Sequence, residues 1–166
     1  MEQADGSFHA LLVNPGGTVL QKIGKGSYAN ALNDLGQVVG SLNGRAILYD
    51  KGTVQDLGPG VANGINNFGI IVGDGSGVTG GGLPDIGFRG FVYFPFVGMR
   101  NLQDLTPAIF AAHLDTTTAG PFEGYLITGA VGINDRGQIA ANAYFWYLGD
   151  QAAHLRAVIL TPHFSK

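Results

Sequence analysis

ANALNDLGQVVG (Ala29–Gly40), ANGINNFGIIVG (Ala62–Gly73) and AVGINDRGQIAA (Ala130–Ala141) are three copies of one twelve-residue phrase. Ala, Asn and Gly hold the first, fifth and eighth places in all three. A phrase that returns in this way marks a repeat architecture, in which each unit buries its apolar face by stacking on a neighbour. In the first copy, two apolar runs flank Asn33-Asp34-Leu35-Gly36. Asn and Asp side chains bond their own backbone and favour the start of a type I turn, and Gly supplies the positive φ that closes it. The phrase therefore predicts a β-hairpin. Its turn residues are Asn33, Asp34 and Gly36, then Asn66, Asn67 and Gly69, then Asn134, Asp135 and Gly137.

Outward from the phrase, a second element recurs as RAILYD (Arg45–Asp50), RGFVYF (Arg89–Phe94) and LRAVIL (Leu155–Leu160), with FHALLV (Phe8–Val13) ahead of the first phrase. These short runs of branched and aromatic residues read as strands. A third element, TVLQKIG (Thr18–Gly24), TVQDLG (Thr53–Gly58) and MRNLQDL (Met99–Leu105), alternates polar and apolar residues like a strand with one wet face. One unit is thus four strands. Ala29 and Ala62 are 62 − 29 = 33 residues apart, but Ala62 and Ala130 are 130 − 62 = 68 apart. Two insertions account for the excess: the Gly-rich Gly73–Gly87, and Leu105–Gly129, in which Pro107–Leu114 reads as a helical turn or two. No window keeps a 3.6-residue apolar period for three turns.

The expected organisation is a single all-β domain over 1–166. Its units span about 8–26 (partial), 27–59, 60–107 with the 73–87 insertion, and 128–163 (partial), with a further insertion at 105–129. Four-stranded antiparallel units of this length suggest a β-propeller-like fold, whose ring closes by strand exchange between first and last blades. Two, four, four and three strands are few for a closed ring, so a second chain would complete it as a homodimer. A β-sandwich or an open barrel is the alternative.

Composition narrows the function classes. Charged residues make up only 13% of the chain, the formal net charge is −3, and no basic run occurs. A nucleic-acid partner is not expected, because it requires a cationic footprint. Cysteine is absent, which excludes disulfides, thiolate metal sites and a Cys nucleophile. No apolar stretch approaches the roughly 18 residues of a membrane-spanning helix. The opening MEQADGSFHA lacks a charged-then-apolar signal pattern.

Candidate sites fall at the turns and in the insertions. Asn33-Asp34, Asn66-Asn67 and Asn134-Asp135 could converge on a hard cation such as Ca²⁺, which takes six to eight oxygen ligands. Turn chemistry explains the same residues without an ion. In GDGSGVTGGGLPDIG (Gly73–Gly87), Asp74, Ser76 and Asp85 sit among glycines that let backbone carbonyls approach a metal; a surface loop is the plainer reading. His9, His113, His154 and His163 lack metal-ligand spacing. His113 precedes Asp115 inside an insertion, and a His113/Asp115 or His113/Glu123 pair would serve acid–base chemistry. The metal set for such an enzyme would be Asp74, Asp85 and Asp115. No G-x-S-x-G elbow occurs, so a Ser-His-Asp hydrolase is not expected.

The recurring GIN-x-x-G-x-I-V-G phrase, followed by His9-Ala10-Leu11, Arg45-Ala46-Ile47, Arg89-Gly90-Phe91 and Arg156-Ala157-Val158, resembles the extracellular HAF-repeat family of bacteria. The ending GINDRGQIAA…LRAVILTP (Gly132–Pro162) looks like that family's last repeat. The resemblance runs from about Phe8 to Pro162 and implies a secreted or surface-exposed β-repeat protein. It brings no catalytic residues with it. Two functions follow as expectations. One is a binding or scaffold module that uses the loops of one face, with a small molecule or carbohydrate as partner. The other is a Ca²⁺-dependent hydrolase of small esters or lactones.

Overall fold

The structure, a computed structural model, describes residues 8–13, 15–75, 89–106, 110–113, 122–147 and 152–162. Strands β1 (His9–Val13) and β2 (Val19–Lys25) form a two-stranded sheet. Strands β3 (Ser27–Leu32), β4 (Val38–Leu42), β5 (Arg45–Asp50) and β6 (Thr53–Pro59) form the second sheet in sequence order. Strands β7 (Val61–Ile65), β8 (Ile71–Gly75), β9 (Arg89–Phe94) and β10 (Gly98–Asn101) form the third in the same way. One helical turn, α1 (Leu102–Leu105), leads to β11 (Phe110–His113), β12 (Phe122–Ile133), β13 (Ile139–Tyr147) and β14 (His154–Pro162). The fold is all-β, every pairing is antiparallel, and each phrase is a hairpin: β3–β4, β7–β8 and β12–β13.

Three local readings change. Gly73, Asp74 and Gly75 belong to β8, so the first insertion begins after the strand. Met99–Leu105 is a strand only to Asn101, whose Oδ1 caps α1 by accepting the Gln103 amide at 2.9 Å while Leu102 is fully buried. Phe110–His113, expected within a helical segment, is a strand. It pairs with β14, with Ala111 opposite Thr161 and His113 opposite Ile159. The last sheet therefore runs β11-β14-β13-β12 and has four strands, not three. A bare β14 edge would leave a row of amides and carbonyls unpaired, and the segment ahead of the hairpin covers it.

The core lies between sheets, because alternate residues of each strand point to opposite faces. We call the face toward the next repeat the forward face. Val39 and Ala46 on the forward face of the second sheet pack on Ala62, Ile65, Ile71 and Phe91 of the third. Val72, Val92 and Leu102 pack in the same way on Ile127, Ile139, Phe145, Val158 and Leu160 of the last. Ile23, with Ala10 and Leu12 beside it, meets Ile47 and Tyr49 across the first junction. The forward face of the last sheet is open: Ile159 is 54% exposed where its counterpart Val92 is fully buried.

The twelfth place of the phrase shows how closely the two hairpin strands approach. A Cβ on Gly73 would collide with the Val61 carbonyl and the Phe91 ring. Gly132, at the third place of the last phrase, has open space where a Cβ would stand. We expect Gly73→Ala to cost about 1–3 kcal/mol by overpacking, and Gly132→Ala to stay within about 0.5 kcal/mol. Urea unfolding midpoints of the two variants test this difference.

Candidate ligand cleft on the hairpin-turn face

The three turns are built alike and bolted together by their asparagines. Asn33 Oδ1 accepts the Leu35 and Gln37 amides at 3.1 and 3.0 Å, closing its own turn. Asn66 does the same with Phe68 and Ile70, and Asn134 with Arg136 and Gln138. Local bonding of this kind is what the sequence predicts. The other end of the same amide reaches across repeats. Asn33 Nδ2 donates to the Asn66 carbonyl at 3.0 Å, and Asn66 Nδ2 donates to the Asn134 carbonyl at 3.2 Å.

Two further rows run parallel to this one. At the second place of the phrase, Asn30 Nδ2 donates to the Ala62 carbonyl at 2.9 Å and Asn63 Nδ2 to the Ala130 carbonyl at 3.0 Å. At the sixth place, the Asp34 amide donates to Asn67 Oδ1, and the Asn67 amide donates to Asp135 Oδ1. Asn67 Nδ2 also donates to the carboxylates of Asp34 and Asp135, at 2.8 and 2.9 Å. The turn oxygens thus do converge, as a cation site requires, but they converge on amide donors. Among the described residues no group of three or more His, Cys, Asp or Glu is placed to hold a metal.

Between the third and last sheets, at the turn end, lies a cleft of about 290 Å³. Ile70, Val92 and Phe94 line one wall, and Ile133, Ile139 and Pro162 line the other. Phe68 stands at the lip, two-thirds exposed, with Asp135 and Arg136 facing it across the mouth. Two side-chain exchanges distinguish this junction from the preceding one. At the preceding junction the equivalent places hold Gln37 and Asp50, and Gln37 Nε2 donates to Asp50 Oδ2 at 3.1 Å. Here they are Ile70 and Phe94, which cannot make that bond. An apolar pocket with a few polar groups at its mouth is the usual form of a small-ligand site. Sequence reading missed it, although the signal was present as the two polar-to-apolar exchanges between otherwise matching repeats.

The expected site residues are dispersed. Asp74 lies in β8, where its Oδ1 accepts a bond from Asn63 Nδ2, so it braces the second-place row. Asp85 and Asp115 lie outside the described residues. His113 ends β11 and Glu123 is near the start of β12, and their side chains also lie outside what is described. His154 packs against the Tyr147 ring, with centroids 5.8 Å apart. The Arg45–Asp56 ion pair, 2.6 Å, lies on the outer strands away from the cleft. The guanidinium holds the Asp56 carboxyl below its usual range, so this exposed pair is kept above the ordinary carboxylate range and lost as pH falls through the lowered value.

Comparison with protein-family models, curated proteins and solved structures gave no match.

The fifth-place row makes a specific demand. Asn66→Asp keeps both acceptor functions but turns the Nδ2 donor into an oxygen facing the Asn134 carbonyl, at a site only 2% exposed. We expect a loss of about 2–4 kcal/mol at neutral pH, from an unmade bond and a buried charge. Burial raises the introduced carboxyl's pKa, so the deficit grows as pH rises through the carboxylate range and shrinks in acid. Denaturant unfolding at pH 4 and pH 7 reads both effects.

Proposed function

We propose that the chain is a binding module whose hairpin-turn face takes a small, mostly apolar molecule into the cleft between the third and last sheets. The observation that carries this reading is the cleft itself: six apolar side chains enclose about 290 Å³, and Asp135 and Arg136 stand at the mouth. The enclosed volume suits a single aromatic or similarly sized ring. Asp135 and Arg136 offer an acceptor and a donor to a polar substituent. The turn face supports the reading in a second way. The seventh place of the phrase, at the tip of each turn, carries Leu35, Phe68 and Arg136, all exposed, which gives a mixed apolar and cationic rim. We place the protein outside the cytoplasm on the strength of its resemblance to HAF-repeat proteins.

Indole is a suitable probe. In a titration followed by NMR, we expect saturable shifts at Phe68, Ile70, Phe94, Ile133 and Ile139. The double variant Ile70→Gln/Phe94→Asp should abolish them, because it writes the hydrogen-bonded polar arrangement of Gln37 and Asp50 into the cleft. Shifts spread over the surface, or binding unchanged in the double variant, would contradict the proposal.

A further inference from the structure

Asn-Gly occurs twice in the chain, as Asn43-Gly44 and as Asn63-Gly64, and the fold puts the two copies in opposite settings. The pair has a chemistry of its own. Glycine has no Cβ to shield its backbone nitrogen, so that nitrogen can close on the side-chain carbon of the asparagine before it.

Asn43 and Gly44 are the two loop residues of the β4–β5 hairpin, whose closing pair is Leu42 and Arg45. Their φ angles are 51° and 77°, which makes the loop a type I′ turn. Both residues are exposed, and nothing lies within 4 Å of where a Cβ on Gly44 would stand. The peptide that joins two such loop residues lies outside the strand ladder, so it can turn over while Leu42 and Arg45 stay paired. Turning over converts type I′ to type II′ and carries ψ of the first loop residue to about −120°. It also reverses the sign of φ at the second, which glycine alone does freely. The Gly44 nitrogen then faces the side-chain carbon of Asn43.

Asn63-Gly64 is held fast. Gly64 is buried, pairs with Val72 inside the third sheet, and a Cβ on it would stand 2.9 Å from Gly132 Cα. Asn63 Nδ2 donates to the Ala130 carbonyl at 3.0 Å and to Asp74 Oδ1. Turning over this peptide would break the β7–β8 pairing and the bonding row to the last sheet together.

We propose that Asn43 is a self-modification site: the folded chain converts it to aspartate and isoaspartate, with water as the sole co-reactant, while Asn63 is spared. The Gly44 nitrogen gives up its proton and bonds to Asn43 Cγ. The Cγ–Nδ2 bond breaks, and the nitrogen leaves as ammonia. Water then opens the five-membered imide at either carbonyl. One opening leaves aspartate. The other leaves isoaspartate, in which the main chain runs through Cβ and Cγ and is one carbon longer. Both add a negative charge to the formal −3. The longer chain matters because this turn ties two crossovers. The Asn43 amide donates to the carbonyl of Gly26, between β2 and β3, at 3.3 Å, and the amide of Gly60, between β6 and β7, donates to the Gly44 carbonyl at 3.0 Å. Isoaspartate at 43 shifts both atoms and loosens the second sheet from its neighbours. The loop lies at the other end of β4 from the hairpin-turn face, so the site stands independently of the cleft.

The test incubates the whole chain in mildly alkaline buffer made with heavy-oxygen water, folded and in urea, and follows the peptides holding Asn43 and Asn63 by mass spectrometry. In urea both should convert at similar rates. In the folded chain we expect Asn43 to convert with uptake of the label, and Asn63 to react at least tenfold more slowly. The isoaspartate form, separated by its added charge, should melt at a lower temperature than fresh protein. Asn43→Gly keeps a type I′ turn without the reactive side chain, and should hold its melting temperature through the same incubation. Asn43→Asp carries the charge without the extra carbon, and should melt like fresh protein. The proposal is overturned if Asn43 stays intact in the folded chain while the urea sample converts, or if Asn63 converts as fast when folded. It is also overturned if the isoaspartate form melts like fresh protein, or if Asn43→Gly loses stability on incubation as the wild type does.

Discussion

The asparagine at the fifth place of the phrase does two jobs with one side chain, and the stack depends on both. Its oxygen takes two amides of its own turn, and its nitrogen takes the carbonyl of the next turn. No other side chain does this at that length. Aspartate lacks the donor, serine lacks the reach to bond in both directions, and glutamine places the amide one carbon too far from the turn. Turn formation and repeat coupling are therefore not separable: the residue that shapes a hairpin also sets its distance from the next. Apolar packing between sheets then fills a spacing that the amides have fixed.

Directionality follows from the same chemistry. Donors point one way along the rows and acceptors the other, so the two ends of the stack differ. The sixth place adds a charge constraint. Its order is Asp34, Asn67, Asp135, and the central amide donates to both carboxylates. Three carboxylates in that row would repel at short range without the Asn67 side-chain donor between them. The alternation that looks like loose conservation of a polar turn residue is thus a requirement of the stacked arrangement. The last repeat departs from the rule at the second place, where Val131 replaces asparagine and stands exposed at the open forward face. At this place the last repeat carries no side-chain donor.

Much of the fold is legible in the chain. The phrase, the apolar strand and the alternating strand locate most of the strands, since period-two patterning and Asn-x-x-Gly turns are local signals. What was not legible came from long range. Phe110–His113 has no distinctive strand pattern, and it becomes a strand because β14 offers it an open edge. Met99–Leu105 begins as the expected strand, but burial of Leu102 and the Asn101 cap turn its end into a helical turn. For the site the balance reverses. The turn asparagines were visible, but their second role across repeats lies between residues 33 and 68 positions apart, where no local rule reaches. The cleft was present in the sequence only as a difference between repeats, Ile70 for Gln37 and Phe94 for Asp50, and attention to what the repeats share concealed it.

The account rests on the claim that the fifth-place side-chain amides couple neighbouring repeats. Their hydrogen exchange, followed by NMR, tests it directly. Asn33 and Asn66 are buried and donate across a junction, whereas Asn134 is exposed and, among the described residues, donates to Gln138 within its own turn. The account predicts strong protection of the Asn33 and Asn66 side-chain amide protons and near-solvent exchange for those of Asn134. Equal, rapid exchange at all three would contradict it and leave these residues as turn formers alone.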